Sequence, residues 1–342
     1  MVDSAETIVV GAGIAGLACA RALASRGVGA LLLERARGVG GRCATRRVDG
    51  VPVDHGAPFL HGRSDEMRAE LEAIPPAERV DDWPRTRDGA GLPCQPEAFE
   101  ASELRLAPVD GVNVFAKRLA EGLAIRRDAE VTAIAAGDSW EVSLAGGEKL
   151  RTRSLVLTMP APEIVAFVRD TPIAAIVPTL ELIRTVPCLT VIARYADHVP
   201  RPDWDASYPG TSPILQAVLH DSSKRARGSP LTLVLQARAR FSRKHEGDEP
   251  ERWTRVMLGE ARRRHGAWIG DPVHVETHVW RHARVDAPSQ LAGPLVLELP
   301  SGATLGLAGD GFHHAGGLEG AYLSGLALAG RLAGMLKENP CR

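Results

Sequence analysis

Gly11, Gly13 and Gly16, spaced as G-x-G-x-x-G directly behind the apolar run Ile8 to Val10, constrain this 342-residue chain more than any other feature. Each glycine has its own mechanical task in a dinucleotide-binding turn. Gly11 allows the tight turn, Gly13 lets the backbone approach a pyrophosphate, and Gly16 lets the following helix lie close to the sheet with its N-terminal amides facing the anion. The sequence predicts that helix over Leu17 to Arg26, ended by Gly27. A second apolar strand, Ala30 to Leu33, stops at Glu34, near the spacing expected for an acid that accepts ribose hydroxyls. Strand, turn, helix, strand and acid therefore stand in the order that this site requires.

Composition narrows the partners. Formal net charge is −1 and the sequence pI about 6.8, which gives no global field for nucleic acid or an anionic membrane. Apolar runs such as Ile173 to Val177 are too short to cross a bilayer. Cysteines at 19, 43, 94, 188 and 341 form no C-x-x-C pair and are odd in number, so neither a disulfide framework nor a zinc site is expected. Acids at Asp3 and Glu6 lead straight into the first strand without the apolar stretch of an export signal, which fits a reducing cytoplasm.

Further along, Gly38-Val39-Gly40-Gly41-Arg42 forms a second glycine turn, able to bring amides and a guanidinium to the other side of the same pyrophosphate. Val53-Asp54-His55-Gly56-Ala57 runs a short strand into a Gly-Ala turn that permits close approach to a flat ring. His55 reads either as a packed residue or as a site residue, packing being the commoner fate of a lone histidine. Pro75 to Phe99, rich in Pro, Asp, Arg and Gly and holding Trp83 and Cys94, reads as an excursion from the first domain. A helix is predicted over Val114 to Leu123. Strands are predicted around Val131 and Trp140, flanking a turn at Gly137-Asp138. Strands at Leu189 to Tyr195, Ile214 to His220, Leu231 to Ala239 and Val273 to Arg281, with a helix Glu251 to His265, predict a mostly antiparallel sheet able to roof a bound ring. Near the end, Leu305 to Gly311 is a strand meeting a Gly-Asp turn, and Gly320 is predicted to open a helix Ala321 to Leu336.

With these residues in view the chain resembles the flavin amine oxidase superfamily nearly end to end, and within it the renalase type. Gly11 to Gly16, Glu34 and Gly40-Gly41-Arg42 carry the superfamily resemblance; Leu155 to Ile164, Trp280-Arg281-His282 and Gly309-Asp310-Gly311-Phe312 carry the narrower one. The resemblance implies an α/β, two-domain flavoprotein. Its Rossmann-like FAD-binding domain would take 1–75, 103–164 and 282–338, and a mostly antiparallel substrate domain would take 76–102 and 165–281. The cofactor would be non-covalent FAD. Glu34 would hold the adenosine ribose, Arg42 and Asp310 the pyrophosphate or ribityl chain, Val131 the adenine through its backbone, and Gly320 the pyrimidine carbonyl. Ala57 and its neighbours His55 and Gly56 would lie beside the isoalloxazine. Ile14, Ala15, Arg35, Thr158, Met159, Gly309 and Ala321 complete the implied cofactor contacts. The segment His313 to Gly317 is a residue longer than this type usually carries.

The implied activity is that of an oxidase: dihydronicotinamide isomers of NAD(P)H give two electrons to FAD, and oxygen is reduced to hydrogen peroxide. Such a substrate needs orientation more than acid-base help, because aromatisation drives hydride loss. Trp280, Arg281, His282 and His314 are the candidate catalytic residues. Trp280 and His282 share one strand face and Arg281 the other. Arg281 suits a substrate phosphate, a flavin carbonyl or a bridge between domains, and His313 and His314 either a substrate or a glycine loop; for a metal the pair lacks partners at ligand spacing. Aromatic content of 4% and lysines confined to positions 117, 149, 224, 244 and 337, away from the roof strands, weigh against amine oxidation. An amine or biosynthetic-intermediate oxidase is the alternative, followed by a non-catalytic flavin sensor.

Overall fold

The computed structural model describes residues 3–85 and 103–338. Cys94, Cys341 and most of the proline-rich stretch 75–99 lie outside them. The chain divides into two compact units, 1–43 with 115–185 and 284–342, and 44–114 with 186–283. The sequence expectation assigned 44–75 and 103–114 to the cofactor domain. Here they belong to the second unit, where Asp54 pairs with Lys224 and Arg225, and 165–185, assigned from sequence to the substrate domain, belong to the first.

In the first unit a six-stranded sheet runs Leu295–Glu298, Thr304–Leu307, Ser154–Leu157, Thr7–Val10, Ala30–Leu33, Ala124–Arg126. Every pairing is parallel except that of the Leu295–Glu298 edge strand. All four residues of Thr7–Val10 and of Ser154–Leu157 are buried, as strands covered on both faces must be. Helices Ile14–Ala24 and Gly317–Glu338 pack closely together. A Cβ on Gly325 would stand 2.3 Å from the Ala15 carbonyl, so glycine sets that approach. A four-stranded sheet containing Val131–Ala136, Trp140–Leu144 and Lys149–Thr152 contributes Trp140, Val142 and Leu150 to the same core as Ile8, Leu155 and Leu305.

The second unit is built on a five-stranded sheet ordered Ala206–Ser207, Leu215–His220, Thr232–Ala237, Thr185–Arg194, His274–Val285. Its two faces feed two cores, as strand alternation requires. Leu189, Val191, Leu233 and Leu235 meet Trp253, Met257 and Ala261 of helix Pro250–His265. Ile192, Ala217, Leu219 and Val234 meet Val53, Phe59 and Trp83. The hairpin Thr45–Val48/Val51–Asp54 turns at Asp49-Gly50, both at positive φ, as a two-residue primed turn demands.

Three element predictions need correction. The helix after Asp110 is Asn113–Leu119, ending earlier than expected. A helix at Ala239–His245, which the sequence assigned partly to a strand, follows Thr232–Ala237. The final helix opens at Gly317 rather than Gly320, because Gly316 and Gly317 at φ 59° and 54° already complete the turn. Among the described residues no helix is long and apolar enough to cross a membrane.

Candidate functional site

The glycine turn of the first unit separates into residues the fold needs and one it does not. Gly11 stands at φ 99°, and a Cβ there would lie 2.8 Å from the Thr158 hydroxyl. At Gly16 a Cβ would meet the Gly11 carbonyl at 2.0 Å. Gly13 has extended backbone, φ −74° and ψ 178°, with no protein atom within 4 Å of an added Cβ. Gly13 caps the helix Ile14–Ala24 without a side-chain cap, and among the described residues no side-chain hydrogen bond to the first-turn amides is seen. Ile14 and Ala15 are buried and have only backbone to offer. An open cradle before bare helix amides fits a pyrophosphate.

Glu34 ends its strand 9% exposed, with Oε2 accepting the Ala12 N–H at 2.8 Å and Oε1 the Ala36 N–H at 2.9 Å. Each oxygen keeps a second lone pair, enough for two ribose hydroxyls. The second glycine turn lies directly on the first. Gly40 N–H donates to the Ala12 carbonyl at 2.8 Å, and Gly41, at φ 55°, would place a Cβ 3.5 Å from Gly13 Cα. Arg42 makes a bidentate pair with Asp310 at 2.7 and 2.8 Å, so two residues expected to contact the cofactor separately contact each other. Arg35 is exposed and pairs with Glu163 at 3.3 Å.

Other predicted site residues have partners within the fold. The Thr158 hydroxyl donates toward the Val10 and Gly11 carbonyls at 2.9 and 3.1 Å, bracing the glycine turn, while Met159 packs against the core. Val131 is buried in that core, beside a bulge between Val131 and Ala133. Gly309 N–H is held by Ser324 Oγ at 3.0 Å. Gly320 N–H donates to the Gly316 carbonyl within the helix, so Gly320 does not open it. Ala321 is buried one residue on. His313 and His314 stack at 4.3 Å; His313 is half-buried and His314 exposed.

The second unit holds the remaining candidates. His55, buried, lies edge-on to His278 at 5.1 Å and beside Trp280 at 5.4 Å; His278 and Trp280 are 4.2 Å apart. Burial pushes His55 down to about 4, aided by the Arg46 charge and His278. Burial and Arg46 also lower His278. Both imidazoles are therefore neutral near pH 7. Arg281, on the opposite strand face from Trp280, is exposed, and His282 is half-buried. His278 was missed, although alternation two residues before Trp280 would have found it.

Also missed was a buried quartet of two acids and two bases. Lys224 Nζ lies 2.8 Å from Asp54 and 3.2 Å from Asp221; Arg225 lies 2.7 Å from Asp54 and 2.8 Å from Asp221. Against the opposing cost of burial, Arg225 and Lys224 hold the Asp54 carboxyl down at about 2. Lys224 is the buried lysine of this unit, in the turn just after the strand Leu215–His220. Separately, an open groove of about 660 Å³, with Arg255, Arg262 and Glu276 among its lining residues, contains none of the predicted site residues.

Residues 9–73 match the NAD(P)-binding Rossmann-like domain, and residues 80–333 match the family described as flavin containing amine oxidoreductase. A Mycobacterium tuberculosis protein named as a flavin-containing monoamine oxidase, AofH, is 46% identical over 87 residues, 25% of this chain and 18% of that protein. Polyamine oxidase 5 of Oryza sativa subsp. japonica is 46% identical over 61 residues, 18% of this chain and 12% of its own length. The matched stretches thus span less than a fifth of these relatives. Among solved structures, putrescine oxidase superposes with a TM-score of 0.72 at 13% identity, covering 98% of this chain and 100% of that one. Cyclohexylamine oxidase from Brevibacterium oxydans does so with a TM-score of 0.69 at 16% identity, covering 97% and 99%. At those identities the likeness is one of fold. With the family match spanning most of its length, the chain belongs to the flavin containing amine oxidoreductases and is an oxidoreductase with FAD as its cofactor.

Proposed function

We propose that this flavoenzyme is an oxidase of the renalase type, taking hydride from dihydronicotinamide isomers of NAD(P)H and passing the electrons to oxygen. The observation that carries the proposal is the cluster His55, His278 and Trp280, whose flat rings lie 4.2 to 5.4 Å apart and whose two imidazoles are both lowered in pKa by burial. The buried lysine of the same unit is committed to Asp54 and Asp221. When bound, FAD supplies a hydride acceptor at N5 and returns two electrons to oxygen, which with two protons gives hydrogen peroxide. The protein's share is to bind and orient. Gly13 and the first-turn amides of helix Ile14–Ala24 take the pyrophosphate, Glu34 the ribose, and Arg42 with Asp310 the chain between ribose and ring. Gly56 and Ala57 would contact the ring, and Trp280 with His278 would orient the substrate ring. FAD is non-covalent in this proposal; Cys43, the thiol closest in sequence to Arg42, is 0% exposed.

A second reading, oxidation of an amine, is favoured by the names of the relatives that match over 61 and 87 residues. Oxygen uptake and peroxide release, measured with the 2- and 6-dihydro isomers, ordinary β-NADH and a panel of amines, test the proposal. We expect one peroxide per dihydro isomer consumed and no peroxide with amines. Peroxide from an amine alone would replace the first reading with the second.

A further inference from the structure

The turn His55–Pro58 is held with unusual completeness. Three of its four carbonyls accept a hydrogen bond from a side chain, and each donor comes from a different element. Trp280 Nε1, on the strand His274–Val285, donates to the His55 carbonyl at 2.9 Å. Gln236 Nε2, on Thr232–Ala237, donates to the Gly56 carbonyl at 2.8 Å. Lys224 Nζ, in the turn Asp221–Lys224, donates to the Pro58 carbonyl.

Lys224 also fixes the start of the turn. Its ammonium pairs with Asp54, the residue just before His55, and with Asp221, and lies 4.4 Å from the centre of the Trp83 ring. Asp54 is tied in turn by the Thr45 hydroxyl at 2.6 Å and the Val112 N–H at 2.9 Å. Burying a lysine whose side chain is 1% exposed is costly unless every donor is used, and here they are used on both ends of one four-residue turn. Ala57, at its tip, is half-buried and its N–H has no acceptor among the described residues. Three carbonyls of the turn are taken, and the Ala57 amide donor is left without an acceptor among the described residues.

We propose that Lys224, Gln236 and Trp280 are positioning residues that make Gly56 and Ala57 a rigid face for the flavin ring and aim the Ala57 N–H at one of its acceptor atoms. This rests on the reading that the turn meets the isoalloxazine. It moves Trp280 from a residue that touches substrate alone to one that also acts through the His55 carbonyl. A donor held in place favours the more electron-rich reduced ring, whereas a donor free to swing does so less.

The test uses FAD-loaded full-length Trp280→Phe, Gln236→Met, Lys224→Met and, as a direct probe of the tip, Ala57→Val. Visible circular dichroism and the reduction potential of the bound flavin are measured, together with FAD affinity. We expect each clamp variant to change the flavin dichroism and to move the potential to more negative values, with FAD affinity within about threefold of the parent. Clamp variants that lose only thermal stability and keep parental dichroism and potential overturn the proposal. In that case Ala57→Val tells why: altered dichroism in it alone means the turn meets the flavin but needs no clamp, and parental dichroism means the turn is not at the ring. If Lys224→Met does not fold, the Gln236 and Trp280 variants decide. Neither readout uses a substrate, so failure of dihydronicotinamide oxidation would leave this result standing.

Discussion

At the scale of the residue, Glu34 and His55 make opposite demands on their surroundings. Glu34 gathers two backbone N–H groups and keeps lone pairs for a ribose. Charge-assisted bonds of that kind are worth about 1.5–3 kcal/mol. Glu34→Gln should therefore weaken FAD binding roughly tenfold to a hundredfold, at ~1.4 kcal/mol per decade, and saturating FAD should restore turnover. Titration of the apoprotein with FAD checks it, and unchanged affinity would remove Glu34 from the ribose. His55 is buried neutral, with a folded value of about 4 against about 6.5 when unfolded. The unfolded chain takes up the proton first as pH falls from 6.5 toward 4. Stability from this group is thus constant above 6.5 and drops below it, by about 3 kcal/mol in all. His278, lowered in the same direction, adds to the slope. Thermal melts between pH 7 and 4.5 should show the fall, and His55→Phe should make it shallower; an identical slope in that variant would mean His55 is not the buried neutral group.

At the scale of the element, the first glycine turn makes a sharper prediction than its motif does. Gly16→Ala must push a methyl to 2.0 Å from the Gly11 carbonyl, so the helix and sheet have to separate and the apoprotein should be strongly destabilised. Gly13→Ala meets no protein atom within 4 Å and keeps an allowed backbone conformation. Its apoprotein should melt within about 2 °C of the parent, with FAD affinity lowered at least roughly tenfold. Equal losses of apoprotein stability in both variants would contradict the assignment of Gly13 to ligand approach. This turn was legible from sequence because its parts are local: strand, glycines, helix and acid lie within 28 residues, from Thr7 to Glu34. The start of the last helix was not, since the choice between Gly317 and Gly320 depends on which glycines take positive φ.

At the scale of the whole molecule, the parallel sheet of one unit and the antiparallel sheet of the other follow from buried apolar runs and from alternation, both of which sequence displays. What sequence does not display is pairing at long range. Asp54 and Asp221 stand 167 positions apart, and only the fold shows that Lys224 and Arg225 neutralise both. The segment 44–114 joins the second unit through Asp54 in that quartet and through Val53, Phe59 and Trp83 in its core, a long-range pairing that composition gave no reason to expect. Lys224, dismissed from sequence as lying off the roof strands, proves to be a buried cation, its side chain 1% exposed.

The central claim is that hydride leaves a dihydronicotinamide for the flavin of this protein. Anaerobic rapid mixing of the FAD-loaded enzyme with the 2- and 6-dihydro isomers, β-NADH and amines, followed by visible absorbance, measures that step without oxygen. Full bleaching of the flavin by a dihydro isomer, faster than by β-NADH and absent with amines, is the predicted result. Bleaching by an amine while both dihydro isomers leave the flavin oxidised would contradict it.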